Sequence, residues 1–162
     1  MGVARDKIAP TEYRRVLGHL PTGVTVLTAF AQDGAPAGMA ANSVTSVSLD
    51  PPMILVCPAK ASTTWPAIRD AGRFCVNFMA SHHADLCVRF ARKGIDRFAD
   101  VGWHSRAAGP ALDDAIAWRQ CEISDERDAG DHTVVIATVT GIEASSKGAP
   151  LVFFKGRYGT FS

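Results

Sequence analysis

Charge of one sign is the first thing this sequence lacks. Its 162 residues carry 17 Lys plus Arg against 16 Asp plus Glu, a formal charge of +1. There is thus no polybasic face for a phosphate backbone or an anionic lipid surface, and nucleic acid is disfavoured as a partner. Long apolar runs are also missing, because no stretch approaches the roughly 18 apolar residues of a membrane span. Met1 to Pro10 mixes Arg5, Asp6 and Lys7 with no apolar h-region, which argues for a cytoplasmic chain with no membrane attachment. The four cysteines, Cys57, Cys75, Cys87 and Cys121, contain no C-x-x-C pair, and His82, His83 and Cys87 have no matching ligand pair elsewhere, so no metal site is expected. Cys57 and Cys75 lie in the apolar runs MILVC and FCVNF and read as small buried thiols. No G-x-G-x-x-G follows a strand pattern and no G-x-x-x-x-G-K-[ST] occurs, so any nucleotide must be held without a Rossmann or P-loop site. No repeat, low-complexity tract or linker interrupts a chain whose length fits one domain over 1–162.

What is present is mostly strand signal. Thr11 to Leu20 reads as an opening helix with Thr11 as N-cap, ended by Gly18 and Pro21. Thr22 to Phe30 alternates Thr with Val and Leu, and the QDGAP turn at 32–36 returns the chain into a strand over Gly38 to Val47, giving a hairpin. Asp50-Pro51-Pro52 ends it, and Met53 to Cys57 is a short apolar strand of the kind buried on both faces. Ser62 caps a helix over Thr63 to Ala71 that tolerates Pro66 in its first turn and stops at Gly72. Arg73 to Met79 is a strand. Ser81 to Asp100 reads as helical, with Leu86, Phe90 and Ile95 on one face and a division at Gly94. Trp103 to Asp114 reads as a connection. Ala117 to Asp125 and Thr133 to Ala144 are long strands separated by the charged segment Glu126 to His132, and Leu151 to Phe154 with Arg157 to Phe161 closes the set. Strands without regular helix alternation predict a mainly β fold, an antiparallel barrel with a few short helices.

Four places carry chemistry. Ala40-Ala41-Asn42-Ser43-Val44-Thr45-Ser46-Val47-Ser48 precedes the rigid Asp50-Pro51-Pro52 and offers hydroxyl, amide and backbone N–H groups to a phosphate or a heteroaromatic edge; a solvated edge strand is the plain alternative. Lys60-Ala61-Ser62-Thr63-Thr64 brings a cation and three hydroxyls to a predicted helix start, where anions bind, although an ordinary N-cap has the same pattern. His132 follows Gly130-Asp131 at the head of TVVIATV, as a turn residue or as a ligand contact at the barrel mouth. Arg157 and Tyr158, in Lys155-Gly156-Arg157-Tyr158-Gly159, suit a phosphate and a planar ring, or a hairpin with snorkelling basic side chains. Arg89-Phe90 and Arg97-Phe98 repeat the pairing of arginine with an aromatic, which helix amphipathicity explains equally well. His19, His82, His83 and His104 read as surface residues.

Taken in order, LPTGVTVLTA at 20–29, GMAANSVTSVSLDPPMILVC at 38–57, KASTTW, FCVNFMA, RFA with DRFADV, GDHTVVIATV at 130–139 and PLVFFKGRYGTF at 150–161 resemble the short flavin reductases that serve two-component flavin-dependent monooxygenases. The match runs from about 13 to 161. The resemblance implies an FMN-binding split β-barrel of Greek-key type, a homodimer with flavin near the subunit interface, and hydride transfer from NADH or NADPH to FMN or FAD. Reduced flavin would then pass to a partner oxygenase. On the same basis Met39, Ala40, Ala41, Asn42 and Ser43 line the flavin ring, and Thr45 and Ser46 with Lys60, Ser62, Thr63 and Thr64 hold the ribityl chain and phosphate. Phe90, Ala91 and Arg97 add flavin contacts, His132 lies by the nicotinamide, and Arg157 and Tyr158 stand close to it. The chain departs from many relatives at Ala40, Asn42 and Val44, where they carry Thr, Ser and Phe. The competing reading is a flavoprotein on the same barrel that holds FMN as a sensor or carrier without turnover; GDH together with GRY favours the enzyme.

Overall fold

The structure is a computed structural model that describes residues 7–145 and 147–161. Residues 1–6, part of the segment read for an export signal, lie outside the described residues, as do Ser146 and Ser162. The order along the chain is α1 (Pro10–Leu17), β1 (Thr22–Gly23), β2 (Thr25–Phe30), β3 (Pro36–Ala41), β4 (Thr45–Leu49), β5 (Pro52–Val56), α2 (Trp65–Ala71) and β6 (Arg73–Phe78). A 3-10 turn (Ser81–His83) then runs into α3 (Ala84–Ala91), followed by β7 (Trp103–Arg106), β8 (Gly109–Leu112), β9 (Ala117–Ala129), β10 (His132–Ala144), β11 (Leu151–Phe154) and β12 (Arg157–Thr160).

Seven strands form one antiparallel sheet in the order β3-β2-β6-β9-β10-β5-β4. Its two edge strands, β3 and β4, are neighbours in sequence. The four residue steps from Ala41 to Thr45 reach at most about 14 Å, so the sheet has to curl until its edges approach. Among the described residues no ladder closes that seam, and the result is the expected split barrel rather than a flat sheet. The single strand read over Gly38 to Val47 is therefore two strands, cut at Asn42–Val44 where the chain crosses from one edge of the sheet to the other.

Strand β2 is buried on both faces, which explains its hydrophobic and threonine alternation. Leu27 and Ala29 enter the barrel core with Ile54, Val56, Phe74 and Val135, while Val26 faces a second core with Met79, Cys87, Phe90, Leu112 and Leu151. The threonine hydroxyls are satisfied internally, as burial requires. Thr25 Oγ1 donates to Ala41 O at 2.6 Å, and Thr28 Oγ1 donates to Pro110 O. The buried Asn77 amide donates to Val26 O and Thr28 Oγ1, each at 3.0 Å, and its Oδ1 accepts the Leu112 N–H at 2.8 Å.

Four local expectations change. Pro10, with its preset φ, opens α1 after Ala9, so Thr11 lies inside the helix rather than at its cap. Trp103 to Asp114 holds the β7–β8 hairpin, and Gly109 lets it close on β2, since a Cβ there would stand 2.4 Å from Thr28 O. The helix after Ser81 ends at Ala91, where Arg92 turns extended (φ −78°, ψ 147°), and the chain continues as a loop to Val101. The segment 126–132 belongs to the β9–β10 ladder, with Gly130-Asp131 alone at its turn.

Helix α2 starts at Trp65, and Ser62 caps it by accepting the Thr64 and Trp65 N–H groups at 3.3 and 3.1 Å. Trp65 and Ile68 insert into the barrel core, where a fully buried isoleucine contributes about 1.5–3 kcal/mol. Gly72 ends the helix with φ 71°.

Candidate functional site

The seam between β3 and β4 is held open and in place by side chains from three loops. Ser43 Oγ accepts the Cys57 N–H at 3.0 Å and so pins the crossing segment to the end of β5. Ser62 Oγ lies 3.7 Å from Met39 Sδ. Gly38 takes the edge of Phe90 so closely that a Cβ there would stand 2.6 Å from the ring. Its carbonyl accepts from Arg97 Nη1 at 2.7 Å, and the same nitrogen donates to Thr64 Oγ1. Arg97 Nε donates to Arg92 O at 2.6 Å, fixing the guanidinium in its loop. Burial lowers the pKa of this group, and no carboxylate of the described residues pairs with it. A half-buried guanidinium without an acid partner, beside the exposed Thr63 hydroxyl, fits the phosphate end of a flavin.

The second part of the site comes from the long hairpin β9–β10. Its turn is zipped to the loop after β5: Lys60 N–H donates to Asp131 O at 2.9 Å, Thr133 N–H donates to Pro58 O at 3.0 Å, and Ala59 bridges His132. His132 Nδ1 lies 2.7 Å from Asp131 Oδ1. The hydrogen bond to His132, then its charge, hold the Asp131 carboxyl below its ordinary pKa, with a smaller contribution from Arg14 on α1. Lys60 Nζ is paired with Asp128 Oδ1 at 3.1 Å. The cation expected at Lys60 is thus already met by a carboxylate, whereas Arg97 has no acid partner among the described residues.

The expected residues do not all converge. Met39, Ala40, Ala41 and Ser43 are half-buried along the seam, and Asn42, Thr45 and Ser46 are exposed beyond it. Ser46 faces a different cavity, of about 730 Å³, with Leu49 and Met53. The Phe90 side chain, expected as a flavin contact, is fully buried in the second core, where it supports Gly38. Ala91 is exposed at the end of α3. Arg157 and Tyr158 lie on β12 in the separate sheet β1-β11-β12, where Tyr158 meets Phe153 edge to face at 5.4 Å. Among the described residues no hydrogen bond joins them to the seam; the neighbouring Lys155 N–H donates instead to Gly18 O, just past α1, at 2.9 Å. His83, read as a surface residue, is 8% exposed and accepts the Ala80 N–H at 3.1 Å. Gly38, Cys57 and Asp131 are supporting residues that sequence reasoning passed over, although GDH already showed the last beside His132.

A family model described as "Flavin reductase like domain" matches residues 17–162. A flavin reductase from Pseudomonas putida is 40% identical over 161 residues, covering 99% of this chain and 95% of the relative. The reductase subunit HsaB of a flavin-dependent monooxygenase from Rhodococcus jostii (strain RHA1) is 38% identical, covering 96% of this chain and 80% of that protein. Among solved structures, the Streptomyces globisporus C-1027 NADH:FAD oxidoreductase SgcE6, in complex with NAD and FAD fragments, superposes with a TM-score of 0.89 at 31% identity, covering 98% of each chain. With the split barrel, the seam and the hairpin turn in place, these matches show that the chain belongs to the flavin reductase family.

Proposed function

We propose that this flavin reductase is an NAD(P)H:flavin oxidoreductase, working as a homodimer, that reduces FMN or FAD and releases it to a partner monooxygenase. The observation that carries the reading is the seam itself. Thr64 there meets an Arg97 guanidinium that has no carboxylate partner among the described residues, Ser43 and Ser62 hold the neighbouring loops, and the hairpin turn zipped to the Pro58–Lys60 loop carries a histidine whose ring is held by its neighbouring aspartate. Family membership supports the activity, and the reductase subunit among its relatives supports the kind of partner.

A bound flavin and a reduced nicotinamide supply the hydride chemistry between them. The chain's own residues bind, orient and exclude water. Arg97 and Thr63 hold the phosphate, and Met39 to Ser43 present the edge of β3 and the crossing segment to the ring. Asp131 Oδ1 accepts from His132 Nδ1, which puts the ring proton on that nitrogen and leaves Nε2 free to accept from a nicotinamide carboxamide. When the ring is protonated, the same aspartate keeps its charge near the flavin edge.

The test is NADH and NADPH oxidation with free FMN, FAD or riboflavin in excess. Many turnovers per protein chain are expected. Oxidation that stops at one equivalent of bound flavin would instead favour a flavin holder without turnover.

A further inference from the structure

The outer face of the small sheet β1-β11-β12 takes no part in the seam, yet a cavity of about 660 Å³ lies on it. Strand alternation turns Phe153 and Tyr158 toward the second core and leaves Val152, Phe154 and Arg157 on the outer side. Gly23 pairs with Val152, and Val152 with Gly159, so one valine stands between two glycines in a row across the three strands. Neither glycine has a left-handed φ, and a Cβ at either would meet nothing within 4 Å. Backbone geometry and packing therefore leave both positions free for a side chain, and glycine inside a strand weakens it. What the two glycines keep is a flat, open floor on which a ring can lie. One end of that floor is cationic. Lys155 and Arg157 line the cavity, and neither has a carboxylate partner among the described residues. Lys155 Nζ stands 5.3 Å from the centre of the Phe154 ring. The lysine holds a left-handed φ of 48° beside Gly156, a turn position that Asn or Gly fills at less cost, so the turn does not account for it. Pro21 and Phe154 add apolar flanks. The lining brings no helix N-terminus to an anion; two side chains alone meet it, which suits the single charge of a carboxylate.

We propose that this cavity binds an aromatic carboxylate, with the ring on the glycine-flanked floor and the carboxylate between Lys155 and Arg157. A bare anion would leave the floor uncovered, and a neutral ring would leave both cations unmet. The site lies apart from the seam and holds whether or not the seam takes flavin.

The experiment measures benzoate, benzamide and acetate binding by calorimetry on the wild-type chain and on Arg157→Gln and Gly159→Val, and repeats the benzoate titration with FMN present. Benzoate is expected to bind the wild-type chain with a Kd in the millimolar range or better, and about tenfold more weakly to Arg157→Gln. Gly159→Val raises the floor and should weaken benzoate by a similar factor. Arg157 is exposed, so its variant keeps the test alive if the valine variant does not fold. Benzamide bound as well as benzoate removes the charge from the site, acetate bound as well removes the ring, and either result overturns the proposal. So does an absence of benzoate binding, or an affinity that the folded variants leave unchanged. Benzoate binding that saturating FMN leaves unmoved supports a cavity apart from the seam; competition between the two would place benzoate in the seam and overturn it.

Discussion

His132 gains its setting from a single neighbour. Asp131 is exposed, so the pair contributes little to folding, but it fixes which ring nitrogen faces outward. His132→Ala should raise KM for NADH about tenfold, the loss of one hydrogen bond to a polar partner, while flavin affinity changes by less than about twofold. Unchanged NADH kinetics would remove His132 from the site. His83 makes a different case, because it is buried and titrates against the fold. Burial, with the nearby His82, lowers its pKa from the ordinary 6.5, and Asp114 opposes this only weakly. The native ring therefore binds fewer protons than the unfolded one, and Nδ1 is needed as acceptor for the Ala80 N–H. Stability should be full above pH 6.5 and fall as pH drops through that value toward the lowered native pKa. Thermal melts of wild type and His83→Gln across this window check the sign: the variant should lose less stability on acidification.

Elements decide which of the chemically promising residues meet. The crossing segment Asn42–Val44 has few backbone ladder partners and depends on Ser43 Oγ, which takes the Cys57 N–H. Ser43→Ala leaves that donor half-buried and unpaired, a cost of about 1–2 kcal/mol. Flavin affinity should fall roughly fivefold to tenfold with the circular dichroism spectrum unchanged, and unaltered titration of FMN would show that the pin does not shape the site. Much of this scale was legible in the sequence. Ser62, Pro66 and Gly72 marked α2 to within two residues at its start, since caps and breakers act locally. The strand at Arg73 and the late pair at 117–144 were legible for the same local reason. What could not be read depends on distant partners. Lys60 and Arg97 look equivalent as cations in sequence, yet Asp128, on a hairpin 68 positions away, takes the charge of the first. Phe90 has the spacing of a ligand aromatic as much as of a core one, and only the docking of Gly38 against its ring decides. The edge-to-edge crossing at Asn42–Val44 breaks no local rule, so the segment reads as continuous strand.

At the scale of the whole molecule, curling a seven-stranded sheet buries one face completely but leaves its outer side to be covered. Helix α3 and the sheet β1-β11-β12 cover part of it through the second core. The surface near β4 and the end of β10 is not covered: Val47, Leu49 and Ile142 are 47%, 90% and 75% exposed. Leu49 and Ile142 line a cavity of about 730 Å³ whose walls also include Met53, Phe78, Ile116 and Val139. A monomer that left this apolar surface in water would forgo about 25 cal/mol for each Å² it could bury, and patches of this kind mark interfaces. Ser46 lies in the same cavity, so a second chain seated there would bring its surface against the crossing segment that forms the seam. If the chain pairs as proposed, the face near β4 should join the two copies, and its disruption should be felt at the flavin. Leu49→Asp combined with Ile142→Asp places two carboxylates on each side of that interface. Light scattering behind size exclusion should give the mass of two chains for wild type and of one for the double variant, with flavin reduction per chain reduced together with dimer content. A double variant that keeps the dimer mass would move the interface to another face, and a monomer with full activity would show that each seam works alone.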